Sequence, residues 1–226
     1  MKKEKGNIII STIAALLIAV LVVSAAVALT LFDRNEYYDY VQNSDLPTLT
    51  GIPEEEIINN YDALIDYNSV FFNGPLEFPT FPMSDNGREH FREVKTIFSS
   101  FQIALIVSII CLIPLCIVLL KKRKYGFLLA GGVLAIVIPA AVGVIMTAVG
   151  WDDFFVLFHQ LFFNNDFWIF DAISDPVIII LPDDYFMMCL SQIIAGICIP
   201  AMVLIIITIL IWRRSAKLNE PRIPIR

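Results

Sequence analysis

Four long apolar tracts, none of which contains a charged residue, dominate this sequence. They cover residues 8–32, 97–120, 126–149 and 186–212. About 20 residues of helix cross a hydrocarbon core roughly 30 Å thick, so each tract can span a bilayer with some tilt. Within lipid a chain must pair its own backbone groups, and an apolar tract of this length does so as a helix. The sequence therefore predicts an all-α membrane protein with four transmembrane helices.

The composition excludes several other classes of protein. Apolar residues make up 58% of the chain and charged residues 17%, and the charges are confined to a few blocks. A water-soluble domain of this length would carry polar residues over its whole surface. Disordered chains and nucleic-acid-binding proteins are excluded by the same long apolar tracts. We therefore expect contact with membrane lipid and no nucleic-acid partner.

The basic residues predict which side of the membrane each segment occupies. With four spans, both termini lie on one side, together with the loop at 121–125. Twelve of the 16 basic residues are on that side, whereas 20 of the 22 acidic residues are on the other. The positive-inside rule therefore predicts that both termini are cytoplasmic and that the two inserts between spans are extracellular. The twelve are Lys2, Lys3, Lys5, Lys121, Lys122, Arg123, Lys124, Arg213, Arg214, Lys217, Arg222 and Arg226.

This topology divides the chain into five parts. The two inserts are too short to form an independent soluble domain, so we expect them to build one small extracellular cap together. The parts are 1–32, the cytoplasmic N-terminus and first span; 33–96, the first insert; 97–149, the second and third spans with the basic loop 121–125; 150–185, the second insert; and 186–226, the fourth span and a basic tail.

The first tract has an alternative interpretation as a secretory signal peptide. Residues 2–5 form a basic start, and residues 26–28 resemble a small-residue cleavage site. The apolar stretch is longer than the usual about 7 to 15 residues of a signal peptide, so a retained helix is preferred.

The cysteines indicate packing rather than cross-linking. Cys111, Cys116, Cys189 and Cys198 all lie in apolar tracts, so none is placed to join the two inserts by a disulfide. Cys189, near the outer end of the fourth span, is the one candidate nucleophile. An apolar setting raises the pKa of a thiol, which favours a structural role for it.

The first insert contains one clear amphipathic pattern. Pro53 begins a predicted helix in which Ile57, Tyr61, Leu64 and Ile65 share a face. The aromatic and proline-rich segment 71–82 follows and is expected to be extended, with a tight turn at residues 73–74. Aromatic rings in such a segment can also be simple anchors at the membrane interface.

The chain has only two histidines, and each lies beside a span. His90 precedes the second tract, in a segment where Asn86 and Glu89 are suited to cap a helix. Val94 and Ile97 follow at helical spacing, so the imidazole should point along the apolar face rather than into water. A histidine at such a position is most often a hydrogen-bonded structural residue.

The second histidine lies in a phenylalanine-rich stretch after the third span. This stretch predicts a short helix, in which His159 is surrounded by Phe155, Phe158, Phe162 and Phe163. Both histidines are expected at the same membrane interface, beside spans that must pack together. This placement favours a shared site.

Several other kinds of site are disfavoured by the motifs. There is no His-Glu-x-x-His spacing and no third histidine, so we expect no metal. There is also no Gly-x-Ser-x-Gly motif, no phosphate-binding glycine loop and no dinucleotide fingerprint, so we expect no cofactor. The remaining chemistry is general acid–base catalysis by imidazole at a lipid-accessible surface.

Two blocks of the sequence resemble those of a known family. Residues 88–95, Arg-Glu-His-Phe-Arg-Glu-Val-Lys, resemble its glutamate–histidine motif. The family is that of the lipoprotein intramolecular transacylases of Gram-positive bacteria, and the resemblance extends over nearly the whole chain. Its second block resembles the run formed here by Phe158, His159, Phe162, Phe163, Trp168, Asp175, Pro176, Pro182 and Phe186.

The resemblance implies an acyltransferase of the cell membrane whose substrate is a diacylated lipoprotein. The enzyme would move the sn-2 acyl chain to the α-amino group of the N-terminal cysteine of the lipoprotein, which gives the lyso-form. It further implies that His90 and His159 catalyse this transfer where the cap meets the membrane. We assign proton transfer to His159, and orientation of the ester or stabilisation of the oxyanion to His90, although the two roles could be exchanged.

Other residues are expected to support the two histidines. Aromatic side chains would shape the substrate pocket and exclude water, and charged side chains would hold an imidazole in one tautomer. The expected pocket residues are Phe91, Phe155, Phe162, Phe163, Trp168 and Tyr185, and the expected supporting residues are Arg88, Glu89, Asp171 and Asp175.

Two alternative functions stay open at this point. A non-catalytic accessory protein with an aromatic cap would use both histidines structurally. A lipid or lipoprotein esterase would use the same residues with water as the nucleophile. Loss of folding on alanine substitution would indicate the first, and release of free fatty acid would indicate the second.

Overall fold

Four long helices and four shorter ones form the described part of the chain. The computed structural model describes residues 2–218. The helices are α1 (Lys2–Phe32), α2 (Arg34–Asn43), α3 (Leu46–Thr50), α4 (Glu54–Tyr67), α5 (Asp85–Lys121), α6 (Gly126–Val149), α7 (Trp151–Phe162) and α8 (Asp183–Leu218). Helices α1, α5, α6 and α8 are each long and apolar enough to cross a membrane. The four predicted spans are therefore confirmed.

Helix α1 is the centre of the bundle. It packs against α5, α6 and α8, and α6 also packs against α8. Ala14, Ala15 and Ala26 of α1 are buried, and small side chains of this kind let neighbouring helices approach closely.

The three basic segments of the chain lie at one end of the bundle. The ammonium group of Lys122 donates a hydrogen bond to Asn7 Oδ1 at 2.9 Å, and Gly126 lies against the ring of Trp212. The start of α1, the turn at 121–125 and the end of α8 therefore lie together. The remaining basic residues of the predicted cluster lie outside the residues whose side chains are described: Lys2, Lys3, Lys5, Lys217, Arg222 and Arg226.

The other end of the bundle is covered by a layer that we call the cap, residues 33–84 and 163–182. Helices α2 to α4, the segment 68–84 and the segment 163–182 share one apolar core. The last segment contains a short 3-10 helix, Pro176–Ile179. Helix α4 begins after Pro53, as predicted, and buries the expected face. The buried core of the cap includes Tyr37, Val41, Ile57, Tyr61, Leu64, Ile65, Val177 and Ile180, and Tyr185 of α8 packs into it.

Helix α5 begins well before its apolar tract, so its first three turns extend into the cap. The side chain of Ser84 caps this helix by accepting a hydrogen bond from the N–H of Gly87 at 2.9 Å. The prediction that Asn86 is the cap is wrong by two residues. Asp175 explains the difference, because its Oδ1 accepts the N–H of Ser84 at 2.8 Å and so fixes the start of the helix two residues earlier.

Glycines of α6 allow it to fit between two neighbours. A methyl group added to Gly132 would lie 2.8 Å from the carbonyl oxygen of Ala201 on α8, closer than real side-chain contacts. We therefore expect Gly132→Ala to lower the midpoint of thermal unfolding in detergent by several degrees, since overpacking costs about 1–3 kcal/mol.

Gly143→Ala in the same helix is the matched control. No heavy atom lies within 4 Å of the added methyl group, so this variant should be neutral or slightly stabilised. The midpoints of thermal unfolding are measured by circular dichroism. Equal midpoints for the two variants would contradict the proposed close contact between α6 and α8.

Candidate active site

The two histidines lie close together where the start of α5 faces α7. His90 is in the second turn of α5, and His159 is in the last turn of α7. Their ring centroids are 6.0 Å apart, and the ring planes are tilted by 31°. His90 is only 5% exposed, whereas His159 is partly exposed. One imidazole is thus deep in the protein, and its neighbour lies between it and the surface.

Aromatic rings surround the pair. Phe163 lies beside both imidazoles, with its ring centroid 4.7 Å from that of His90 and 5.6 Å from that of His159. Trp168 stacks on His159 at 4.7 Å, and Phe155 packs against the same ring at 4.2 Å. These contacts remove water from most of the surface of both imidazoles.

A second group of rings lies behind His90. Phe170 meets its imidazole edge-on at 5.4 Å and stacks on Phe91 at 5.5 Å. Phe91 is buried and also meets Phe78 of the first insert. The first insert therefore shapes the site indirectly, through the rings that support His90.

The hydrogen bonds of the two imidazoles differ. His159 Nδ1 lies 2.7 Å from the carbonyl oxygen of Phe155. A carbonyl oxygen only accepts hydrogen bonds, so Nδ1 carries a proton and Nε2 of the neutral ring keeps its lone pair. His90 Nδ1 is buried and has no hydrogen-bond partner among the described residues.

Burial keeps both rings neutral. Loss of hydration, together with a smaller effect of the nearby His159, lowers the pKa of His90 from 6.5 to about 4. Loss of hydration also lowers the pKa of His159, although the hydrogen bond to Phe155 partly opposes this shift. Both imidazoles are therefore uncharged near pH 7, where each can accept or donate a proton.

The expected carboxylate partners are engaged elsewhere. Glu89 pairs with Arg92 on the exposed side of α5, and Arg88 is exposed. Asp171 accepts hydrogen bonds from two backbone N–H groups of its own turn, and Asp175 binds Ser84. The structure thus corrects the expectation that an acidic side chain orients an imidazole, because in the described chain a backbone carbonyl does so at His159.

Two of the expected pocket residues lie away from the histidines. Phe162 is 51% exposed and packs on Phe158, on the part of α7 that faces outward. Tyr185 is buried in the core of the cap, where its hydroxyl group lies 2.8 Å from that of Tyr61. The apolar stripe of α7 is wider than the site, and the start of α8 belongs to the cap. Sequence spacing does not distinguish these positions from pocket positions.

Three residues near the pair were not predicted. Phe170 follows Trp168 by two residues, and this spacing of aromatic residues is the sequence pattern that could have indicated it as a pocket residue. Glu93 lies one helical turn after His90, and Asn165 donates from Nδ2 to both of its carboxylate oxygens, at 3.0 and 3.2 Å. No sequence pattern indicated that these two would meet.

A bundle of four long apolar helices with a desolvated imidazole pair at one end is typical of an integral membrane enzyme. The model of one protein family, the lipoprotein intramolecular transacylase Lit, matches residues 12–186 of this chain. The chain belongs to this family and is an acyltransferase.

Solved structures agree with this assignment. The chain is similar to the membrane integral lipoprotein intramolecular transacylase Lit from Bacillus cereus, with 32% identity, a TM-score of 0.88 and coverage of 95% of this chain and 99% of that one. A variant of that protein with one histidine replaced by arginine shows 31% identity, a TM-score of 0.83 and coverage of 96% of each chain. A variant with histidine replaced by alanine shows 32% identity, a TM-score of 0.83 and coverage of 95% and 97%. No curated protein matches this chain.

These relatives confirm the all-α membrane fold and the resemblance noted from the sequence. Bacillus cereus is Gram-positive, which fits the expected group of organisms. The match covers the cap as well as the bundle, since nearly the whole of each chain is included.

The pKa of His90 can be measured directly because the chain has only two histidines. In detergent-solubilised protein labelled with ¹³C-histidine, we expect NMR to show His90 half-protonated near pH 4, and His159→Gln assigns the signals. The folded-state pKa lies below the unfolded value of 6.5, so this group lowers stability as the pH falls from 6.5 towards 4. Titration of His90 near pH 6.5 would contradict its burial.

Proposed function

We propose that this chain moves the sn-2 acyl chain of a diacylglyceryl lipoprotein to the α-amino group of the N-terminal cysteine of that lipoprotein. His90 and His159 carry out the proton transfers. The observation that carries the proposal is the 6.0 Å approach of two desolvated, neutral imidazoles. The substrate class is supported by the name of the related Bacillus cereus protein.

The proposed reaction is balanced without any further reactant. The amine nitrogen attacks the acyl carbon, so that a C–N bond forms and the ester C–O bond breaks. The amine loses a proton, and the departing glyceryl oxygen gains one. The path from nitrogen to acyl carbon closes a ring of about eight members, so the main task of the enzyme is to hold a flexible substrate in this geometry. The nucleophile belongs to the substrate, and no acyl-enzyme is required.

His159 is the proposed general base. Its Nδ1–H is bound to the carbonyl group of Phe155, which leaves Nε2 free to accept a proton. Because its pKa is lowered, the ring stays unprotonated at neutral pH and is available to the attacking amine. The same nitrogen then returns the proton to the glyceryl oxygen.

His90 is the proposed hydrogen-bond donor to the acyl oxygen. Its Nδ1 is buried without a partner among the described residues, and buried N–H groups without acceptors are rare. We therefore assign the proton to Nε2. An N–H group held in a dry site stabilises the negative charge that develops on the acyl oxygen.

The surrounding rings favour transfer over hydrolysis. Phe155, Phe163 and Trp168 cover the imidazoles and restrict the access of water, which competes with the amine for the ester. Leu161 and Phe162 are exposed on the outside of α7, at 75% and 51%, and are suited to contact lipid. The lipid chains of the substrate can therefore reach the site from the membrane. The proposed reaction uses no cofactor or metal.

Alanine at either histidine should nearly abolish the activity. We expect His159→Ala and His90→Ala to lower the rate of conversion of a synthetic diacylated lipopeptide by about 10² to 10⁴, since a positioned acid–base group is worth that much. Mass spectrometry of the purified protein's products gives the measurement, because transfer keeps the acyl count and hydrolysis reduces it.

Gln160→Ala is the matched control, since Gln160 is the exposed neighbour of His159 on α7. This variant should convert the lipopeptide at the normal rate. Full lyso-form production by a folded His159→Ala protein would overturn the role of His159, and free fatty acid as the main product would indicate an esterase.

We place the cap and the site on the extracellular side of the membrane. The opposite end of the bundle carries the described basic residues Lys121, Lys122, Arg123, Lys124, Arg213 and Arg214, and such clusters face the cytoplasm. The diacylated substrate would then approach from the outer leaflet, with membrane lipid as the surrounding medium.

Labelling of single cysteines in intact cells tests this orientation. A membrane-impermeant maleimide should label Leu49→Cys, because Leu49 is 80% exposed in the cap. Lys124→Cys in the basic turn should react only after the membrane is permeabilised. The parent chain is the control, since its four cysteines lie in the spans, and the reverse pattern of labelling would contradict the orientation.

A further inference from the structure

A chain of hydrogen bonds runs from α5, which carries His90, to Trp168, whose ring lies against His159 of α7. Asn165 Nδ2 donates to Glu93 on α5, and the Nε1–H of Trp168 donates to the carbonyl oxygen of Asn165 at 3.1 Å. Asn165 Oδ1 also accepts the N–H of Phe167 at 3.0 Å, which closes a tight turn. Trp168 then stacks on His159.

His159 needs support from outside its own helix. No residue of α7 is buried, and Gly150, which joins α7 to α6, has a positive φ of 85°. The only hydrogen bond of the imidazole in the described chain is to a carbonyl group of α7 itself. The orientation of α7 relative to α5 is therefore set by its neighbours, and among rings outside α7 that of Trp168 lies nearest to His159, at 4.7 Å between centroids.

We propose that Glu93 is a positioning residue for the transfer reaction. Through Asn165 it holds the indole of Trp168 against His159 and thereby fixes the separation of the two imidazoles. This inference rests on the proposed function, because it assigns His159 a catalytic role that must be positioned. Glu93 lies one turn from His90, so a single helix sets the place of both imidazoles.

The proposed role depends on hydrogen bonding and not on charge. Glutamine at position 93 keeps one oxygen that can accept from Asn165, whereas alanine keeps none. If Glu93 acted instead by attracting the ammonium group of the substrate, glutamine and alanine would be equally harmful. The order of activity among the three residues therefore distinguishes positioning from charge.

The kinetic experiment uses the full chain in detergent with a synthetic diacylated lipopeptide. We expect Glu93→Ala to lower kcat by about tenfold or more with little change in KM, since small displacements of a catalytic group cost up to about 10² in rate. Glu93→Gln should lie between Glu93→Ala and the parent protein. Equal losses in the two variants, or a loss confined to KM, would overturn the proposal.

NMR of the two histidines gives a measurement that does not depend on activity. An indole stacked on an imidazole shields the ring protons of His159, so Trp168→Leu should move their signals downfield. Glu93→Ala should move the same signals in the same direction, while the His90 signals stay nearer their original positions. Unchanged His159 signals in Glu93→Ala would overturn the proposal even if activity fell.

An exchange of partners tests the hydrogen bond itself. Asn165→Asp alone places two carboxylates together and should reduce activity strongly. Adding Glu93→Gln restores an amide-to-carboxylate hydrogen bond with the roles reversed, and activity should recover at least severalfold. A double variant no better than Asn165→Asp would overturn the proposal, and this test also serves if Glu93→Ala does not fold.

Asp166→Asn is the matched control, because Asp166 is an exposed carboxylate next to Asn165. It should leave both kcat and the His159 signals unchanged. Failure of the proposed function is recognised separately, since normal activity in His159→Ala would reject the catalytic role while the NMR shifts still report whether Glu93 positions Trp168.

Discussion

Two hydrogen-bonded contacts join the segment 163–182, which follows α7, to the part of α5 that carries His90. Asp175 accepts the N–H of Ser84 at the start of α5, and Asn165 donates to Glu93 one turn beyond His90. The two contacts lie on either side of His90 along the helix. Helix α5 is packed against α1, whereas α7 has no buried residue, so we infer that the segment helps to fix α7 relative to the bundle.

Desolvation then sets the chemistry of the pair. An imidazole that loses its hydration is favoured in its neutral form, and this lowers the pKa of both His90 and His159. The same aromatic rings that exclude water also provide the walls of the site. A single physical cause, the burial of two rings at one end of a membrane bundle, thus gives two uncharged imidazoles, and under the proposed function it would also limit the hydrolysis of the ester.

Local patterns were sufficient to predict the four spans and helices α4 and α7, but not α2, α3 or the residues that contact the histidines. The apolar tracts and the face of α4 depend on spacing within one segment, which the sequence displays directly. The choice of Ser84 over Asn86 as the cap depends on Asp175, far away in the chain. Phe162 and Tyr185 are aromatic, as expected of pocket residues, but their side chains do not face the histidines. Phe162 packs on Phe158, and Tyr185 contacts Tyr61 in the core of the cap.

The sequence by itself determined the number of spans, the distribution of charge between the two ends, and the identity of the only two imidazoles in the chain. These follow from length, hydropathy and residue type, which are properties of the chain before it folds. Only the tertiary structure decided that the rings of His90 and His159 lie 6.0 Å apart, and that the carbonyl group of Phe155 selects the tautomer of His159. The approach of the two rings depends on how helices from distant segments pack, and packing leaves no periodic signal in any one segment. The contact with Phe155 lies within α7, but it depends on the side-chain conformation of His159, which spacing in the sequence does not fix.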